Sequence, residues 1–159
     1  MTKKYSVVPD SKAEALAFVI TWGLKEGYGN ESVVHTQEEA TFYVAKFLKK
    51  FAAKIVPGSK NFIPSGTLVP GTTVYAWNEG EGRSGGGHEP SVVFMGEVTG
   101  PYNTWGLDDH SITEAELVEI LNEFASEVGS ALGQTRVYVR LGEVSWILQQ
   151  EKTATPTGD

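Results

Sequence analysis

Apolar residues recur at helical spacing in two clear stretches of the chain. After Thr36, Ala40, Val44, Phe47, Leu48, Phe51 and Ile55 fall on one side of a helix until Pro57-Gly58 stops the pattern. After Thr113, Leu117, Ile120, Leu121, Phe124, Val128 and Leu132 do the same and end at Gly133. Each stretch opens on a capping box, Thr36 with Glu39 and Thr113 with Glu116, in which cap and glutamate satisfy each other's backbone amides. A third box, Ser11 with Glu14, precedes Ala13, Ala15, Leu16, Ala17, Phe18, Val19, Ile20, Trp22 and Leu24. These predict a first helix from about residue 12 to 25, ended by Gly27-Tyr28-Gly29-Asn30. Its apolar residues encircle it, so it is either sandwiched in the core or shared with a second subunit. Phe18 and Trp22 are then the candidate interface of a homo-oligomer.

β-branched and aromatic residues mark the strands. Thr72–Trp77 and Ser91–Val98 flank the glycine-rich stretch Asn78–Pro90, which reads as a hairpin with a long loop. The Pro, Gly, Ser and Thr between Pro57 and Thr72 read as irregular chain with a short edge strand near Thr67–Val69. Arg136–Leu148 reads as a second hairpin turning at Gly142-Glu143. In that register Leu141 faces Val144, Val139 faces Trp146 and Val137 faces Leu148 on one side, with Arg136, Tyr138 and Arg140 on the other. The order of elements predicts a two-layer α+β fold, an antiparallel sheet of four to five strands packed by about three helices. Residues 1–150 form one domain in this reading, and 151–159, without an apolar anchor, form a flexible tail.

Composition narrows the function classes. The 159 residues carry 13 Lys+Arg against 20 Asp+Glu, a formal charge of -7, which disfavours general nucleic-acid binding. The chain has no cysteine, so disulfides, thiol nucleophiles and cysteine metal sites are excluded. No apolar run is long enough to span a membrane or act as a signal peptide, and a cytoplasmic protein is expected.

Several groups are candidates for chemistry. The stretch Glu79–Glu89 has no Walker pattern and reads first as a flexible surface loop; the alternative is a ligand-covering or partner-binding flap in which Arg83 and His88 add charge to converging backbone amides. Arg136 and Arg140, with Tyr138 between them, read either as a solvated sheet face paired with carboxylates such as Glu97 or Glu143 or as an anion platform on one strand. Tyr75, Trp77, Tyr102 and Trp105 read either as a lid on the core or as an aromatic surface suited to a ring-bearing ligand or a protein. His35, His88 and His110 fit no two-histidine phosphoesterase pattern. Asp108-Asp109-His110 reads as the lead into a helix and not as a metal site, and no serine sits in a nucleophile elbow. Basic Lys46, Lys49, Lys50 and Lys54 on one helix and acidic Glu116, Glu119, Glu123 and Glu127 on another either pair or face solvent.

Without an evident acid–base pair, the sequence favours a non-enzymatic acidic binding protein, similar in type to small accessory or inhibitor proteins of bacteria and phages. It would hold a protein partner or a small anionic molecule through Trp77, Arg83, His88, Tyr102, Trp105, Arg136, Tyr138 and Arg140, with no cofactor and no metal. One alternative is a small hydrolase of a phosphorylated or nucleotide-like substrate. There His88 or His110 would act as acid or base, Glu97 as orienter, and Arg136 and Arg140 as anion holders. The other is a homo-oligomeric assembly subunit joined through the first helix.

Overall fold

The computed structural model describes residues 2–7, 9, 16–27, 29, 31–56, 62–98 and 112–151. Its elements are β1 (Ala17–Gly23), α1 (Gln37–Ala53), β2 (Gly66–Gly80), β3 (Arg83–Glu97), α2 (Glu114–Ala131), β4 (Arg136–Leu141) and β5 (Val144–Gln149). The strands form one sheet in the order β2-β3-β1-β4-β5, and every pairing is antiparallel. Both helices bury their apolar sides in the same core, so the protein is a two-layer α+β fold with two helices among the described residues.

The expected first helix is instead the central strand. Residues 17–23 are rich in Phe, Val, Ile, Thr and Trp, types whose branched or flat side chains pack well on a pleated surface. Phe18, Ile20, Trp22 and Leu24 alternate into the core, while Val19 and Thr21 point to the opposite face. Ala17 and Val19 on that opposite face fall between the core residues, so at sequence level the run resembles a helix that is apolar all round. The Ser11–Glu14 capping box lies outside the described residues. Phe18 and Trp22, expected at an interface, have no exposed surface and belong to the core of the single chain. Trp22 also donates its Nε1–H to the Ala125 carbonyl of α2 at 2.9 Å.

The glycine-rich stretch is not a loop either. β2 and β3 are each 15 residues long, and the expected edge strand near residues 67–69 is the start of β2. Gly80 pairs with Arg83, so only Glu81 and Gly82 turn the chain, with φ of 56° and 76°. A two-residue turn with both φ positive matches the twist of its strands, and the Asn78 carboxamide supports it by accepting from the Gly80 amide at 2.8 Å. The far half of this hairpin extends past the helix-covered part of the sheet as a two-stranded arm, where Val74, Tyr75 and Trp77 are exposed.

The two other expected helices and the second hairpin are present. β4 and β5 pair Leu141 with Val144, Val139 with Trp146 and Val137 with Leu148 around a left-handed Gly142. Thr36 and Thr113 cap α1 and α2, their hydroxyls accepting from the Glu39 and Glu116 amides at 3.1 and 3.2 Å. The Phe124 ring of α2 joins the layers, lying 4.7 Å from Phe47 of α1, 5.3 Å from Phe94 of β3 and 5.5 Å from Trp22. Thr113→Ala is expected to cost about 1 kcal/mol, because an orphan amide of α2 loses its acceptor, and a urea titration would read the loss as a lower midpoint. No helix among the described residues is long and apolar enough to cross a membrane. The expected 151–159 tail lies, beyond Glu151, outside the described residues.

Candidate functional site

One face of the sheet carries the helices and the other is open. Antiparallel register puts directly paired residues on the same face, so Val19, Thr21, Val93, Met95, Val69, Thr73, Tyr75, Glu89, Arg136, Tyr138 and Arg140 all belong to the open one. Where β1 leaves the sheet, between the arm and β4, this face sinks into a cleft of about 280 Å³.

Glycine makes the cleft. Gly23 at the end of β1 and Gly27 beyond it place bare backbone on its floor, where other residues would put a side chain. Gly85 and Gly87 of β3 lie under the rings of Trp77 and Tyr75, since a Cβ there would come within 2.7 and 2.9 Å of those side chains. Each aromatic ring is thereby laid flat across the neighbouring strand, and Tyr75 is aimed at the cleft. Tyr138 supplies a second aromatic wall.

The charged groups converge on the same space. Glu89, paired with Thr73, is the one acidic side chain among the described residues that line the cleft, and Lys25 and Arg136 are its cations. Among the described residues none of the three forms an ion pair within the chain. Two tyrosines, one carboxylate and two cations on an uncluttered floor suit a planar ring carrying hydroxyls and a charged tail.

The wall bearing Lys25 is tied down from behind. Gln134 donates its Nε2–H groups to the carbonyls of Lys25 and Leu132, both at 3.0 Å. Glu26 packs against Gly133, where any Cβ would overlap its carboxylate. His35 bonds Glu26 through Nε2 at 2.7 Å and Glu39 through Nδ1 at 2.8 Å, and these carboxylates, Glu39 first, raise its pKa above the ordinary 6.5.

The expected site residues divide on this frame. Arg136 and Tyr138 line the cleft. Arg140 is one β-repeat further along, its Nε donating to the Gly142 carbonyl at 2.9 Å, and lines an adjoining, more open depression of about 630 Å³ with Val19, Ser145 and Ile147, which shares Thr21 and Tyr138 with the cleft. Trp77 lies on the cleft side of the arm but beyond the cleft. Arg83 sits at the arm's tip, 4.0 Å from Glu81. His88 and Glu97 are on opposite faces of β3, and nine residues of strand separate them by about 30 Å. They are not brought together. Tyr102, Trp105 and His110 lie outside the described residues, as does Asp108-Asp109. Among the described residues no three His, Asp or Glu side chains gather as metal ligands. The two helix stripes meet at one point, where Lys50 pairs with Glu127.

Sequence reasoning missed Glu89, Tyr75 as a cleft wall, Lys25 and the glycine floor. The available signal was the two-residue period of Tyr75 and Trp77 against Gly85 and Gly87, which is a strand pairing and not a loop composition.

No protein-family model and no curated protein matches the sequence. Two solved structures share the fold, both of a phage SAM lyase, one in complex with S-methyl-5′-thioadenosine and one in the apo state. The first is 14% identical, covers 91% of this chain and 97% of its own, and superposes with a TM-score of 0.57. The second has the same identity and TM-score and covers 93% of this chain and 99% of its own. At that identity the likeness establishes the architecture. The proteins that share it are enzymes, and the expectation of a non-enzymatic binding protein is corrected accordingly: this chain is similar in fold to a phage lyase whose structure holds a small nucleoside.

Proposed function

We propose that the protein is a carbon–sulfur lyase acting on a sulfonium nucleoside of the S-adenosylmethionine class, in the cleft between the arm and β4. The observation that carries this reading is the set of groups converging there, Tyr75, Tyr138, Glu89, Lys25 and Arg136, on a fold it shares with a SAM lyase. Such a substrate has a purine, ribose hydroxyls, a sulfonium, an ammonium and a carboxylate, and the cleft presents aromatic, acidic and basic groups to them. Tyrosine rings stack on the purine and tolerate the sulfonium over their faces. Glu89 accepts from the ribose hydroxyls or the ammonium, and Arg136 and Lys25 meet the carboxylate.

The chemistry needs little more. The bond between sulfur and the γ-carbon of the four-carbon chain breaks, and its electron pair stays on sulfur, giving a neutral thioether nucleoside. The departing fragment balances either by closing its own carboxylate onto that carbon or by losing a β-proton to a base. Ring closure needs the carboxylate held against the γ-carbon of the same molecule, so a cleft that fixes the folded substrate favours it. A carboxylate directly on the sulfonium would hold the ground state more firmly than the charge-dispersed transition state, which is why Glu89 is assigned to the substrate's hydrogen-bond donors.

The test is direct. S-adenosylmethionine incubated with the protein is expected to yield S-methyl-5′-thioadenosine, detected by chromatography and mass, in equal amount with a lactone of the four-carbon amino acid. An unsaturated amino acid in its place would identify the β-proton route, and no thioether product at any enzyme concentration would sink the proposal.

A further inference from the structure

The ring of His35 is held in a way that fixes its charge. Its Nε2 lies 2.7 Å from Glu26 and its Nδ1 2.8 Å from Glu39, with the side chain only 10% exposed. Carboxylates accept hydrogen bonds and do not donate them, so two such bonds require a proton on both ring nitrogens. The ring is therefore an imidazolium whenever both bonds exist. Neutral imidazole has one donor and must release one carboxylate.

What those two bonds join is informative. Glu39 belongs to the first turn of α1 and is already fixed there by the Thr36 capping box. Glu26 belongs to the strip that leaves β1, pairs back on Val33–His35, and carries Lys25 and Gly27 into the cleft. Its carboxylate also lies on Gly133, another cleft residue, at the end of α2. His35 thus joins the helix layer to a cleft wall that, like the Gly133–Thr135 segment beside it, is not part of the five-stranded sheet. We propose that His35 is a positioning residue, an imidazolium clasp that holds the Lys25 wall closed on bound substrate and lets it loosen when the ring loses a proton.

This assignment rests on the cleft being the substrate site, whereas the clasp itself does not. Among the described residues the charged groups bonded to the ring are Glu26 from the β1 exit and Glu39 from α1, and the segment after α2 meets the Glu26 carboxylate with the backbone of Gly133. Both carboxylates hold the proton on His35, and Glu39 is in turn held below the usual carboxylate range by His35. A folded-state pKa raised above 6.5 means that the stabilisation is fully present below 6.5 and fades as pH rises through the folded value. The clasp is closed on the acid side of that step and open on the alkaline side.

Ring NMR and amide exchange of the ligand-free protein, followed by binding of S-adenosylhomocysteine, an unreactive thioether nucleoside that keeps the amino-acid tail Lys25 would meet, across about pH 5 to 9, test the proposal. Below the step both ring nitrogens are expected to carry protons. Through it, protection of the Glu26 and His35 amides and ligand affinity are both expected to fall, each roughly tenfold. His35→Gln has no such step and binds weakly throughout. Glu26→Gln can donate to a neutral ring, so it keeps the wall closed and removes the step. A ring that is neutral near pH 6, or amide protection indifferent to its charge, overturns the clasp. A protection step with pH-independent affinity in the native protein overturns the positioning role. A protection step in a protein that binds no thioether nucleoside at any pH leaves the clasp standing and removes the lyase reading, and with it the substrate-positioning role.

Discussion

Trp22→Glu is expected to abolish the cooperative fold. The indole has no exposed surface, stacks edge-on against Phe124 at 5.5 Å and donates to the Ala125 carbonyl. Emptying a buried aromatic site costs about 3 to 5 kcal/mol by itself. A carboxylate left there without a partner adds several more or forces the group to take up a proton. Against a total stability of about 5 to 15 kcal/mol for a domain, the sum leaves little or nothing folded. Trp22→Phe, which keeps most of the packing and gives up the indole hydrogen bond, is expected to fold with a loss of about 1 to 2 kcal/mol. Far-ultraviolet dichroism through a urea titration separates the cases. A Trp22→Glu protein that is soluble, cooperative and of smaller assembled mass would return Trp22 to a subunit interface.

Glu89→Gln is expected to lower kcat/KM for S-adenosylmethionine by roughly 10- to 100-fold. A hydrogen bond to a charged group is worth about 1.5 to 3 kcal/mol, and no second acid among the described cleft residues replaces it. The amide keeps the shape and the strand pairing with Thr73, so the urea midpoint should stay where it is. Glu97 shares the face of β3 but stands outside the cleft, and Glu97→Gln is expected to leave turnover unchanged. Equal losses in both variants would mean that the general negative charge of this face matters and that no carboxylate is specific to the cleft. An unaffected Glu89→Gln would move the substrate elsewhere on the molecule.

Amino-acid order alone determined the elements whose physics is local. α1 and α2 follow from apolar spacing and N-cap threonines, with the full capping box formed at α1, and the β4–β5 register follows from a turn glycine between alternating runs. These features depend on neighbours a few residues away, which a sequence displays directly. What lay beyond it depended on partners distant along the chain. Residues 17–23 have enough apolar character for a helix or a central strand, and only the flanking β3 and β4 decide for the strand. Residues 83–90 look like a loop until β2 lies beside them, because glycine weakens a strand unless rings from its neighbour cover the gap, as Tyr75 and Trp77 do here. The cleft was invisible for the same reason. Its Lys25, Tyr75, Glu89 and Arg136 come from four separate segments, and Arg136 with Tyr138 was legible only as an isolated pair of strand residues. Sheet pairing supplies what sequence spacing cannot: it sets side chains separated by tens of residues on one face, about 5 Å apart from strand to strand.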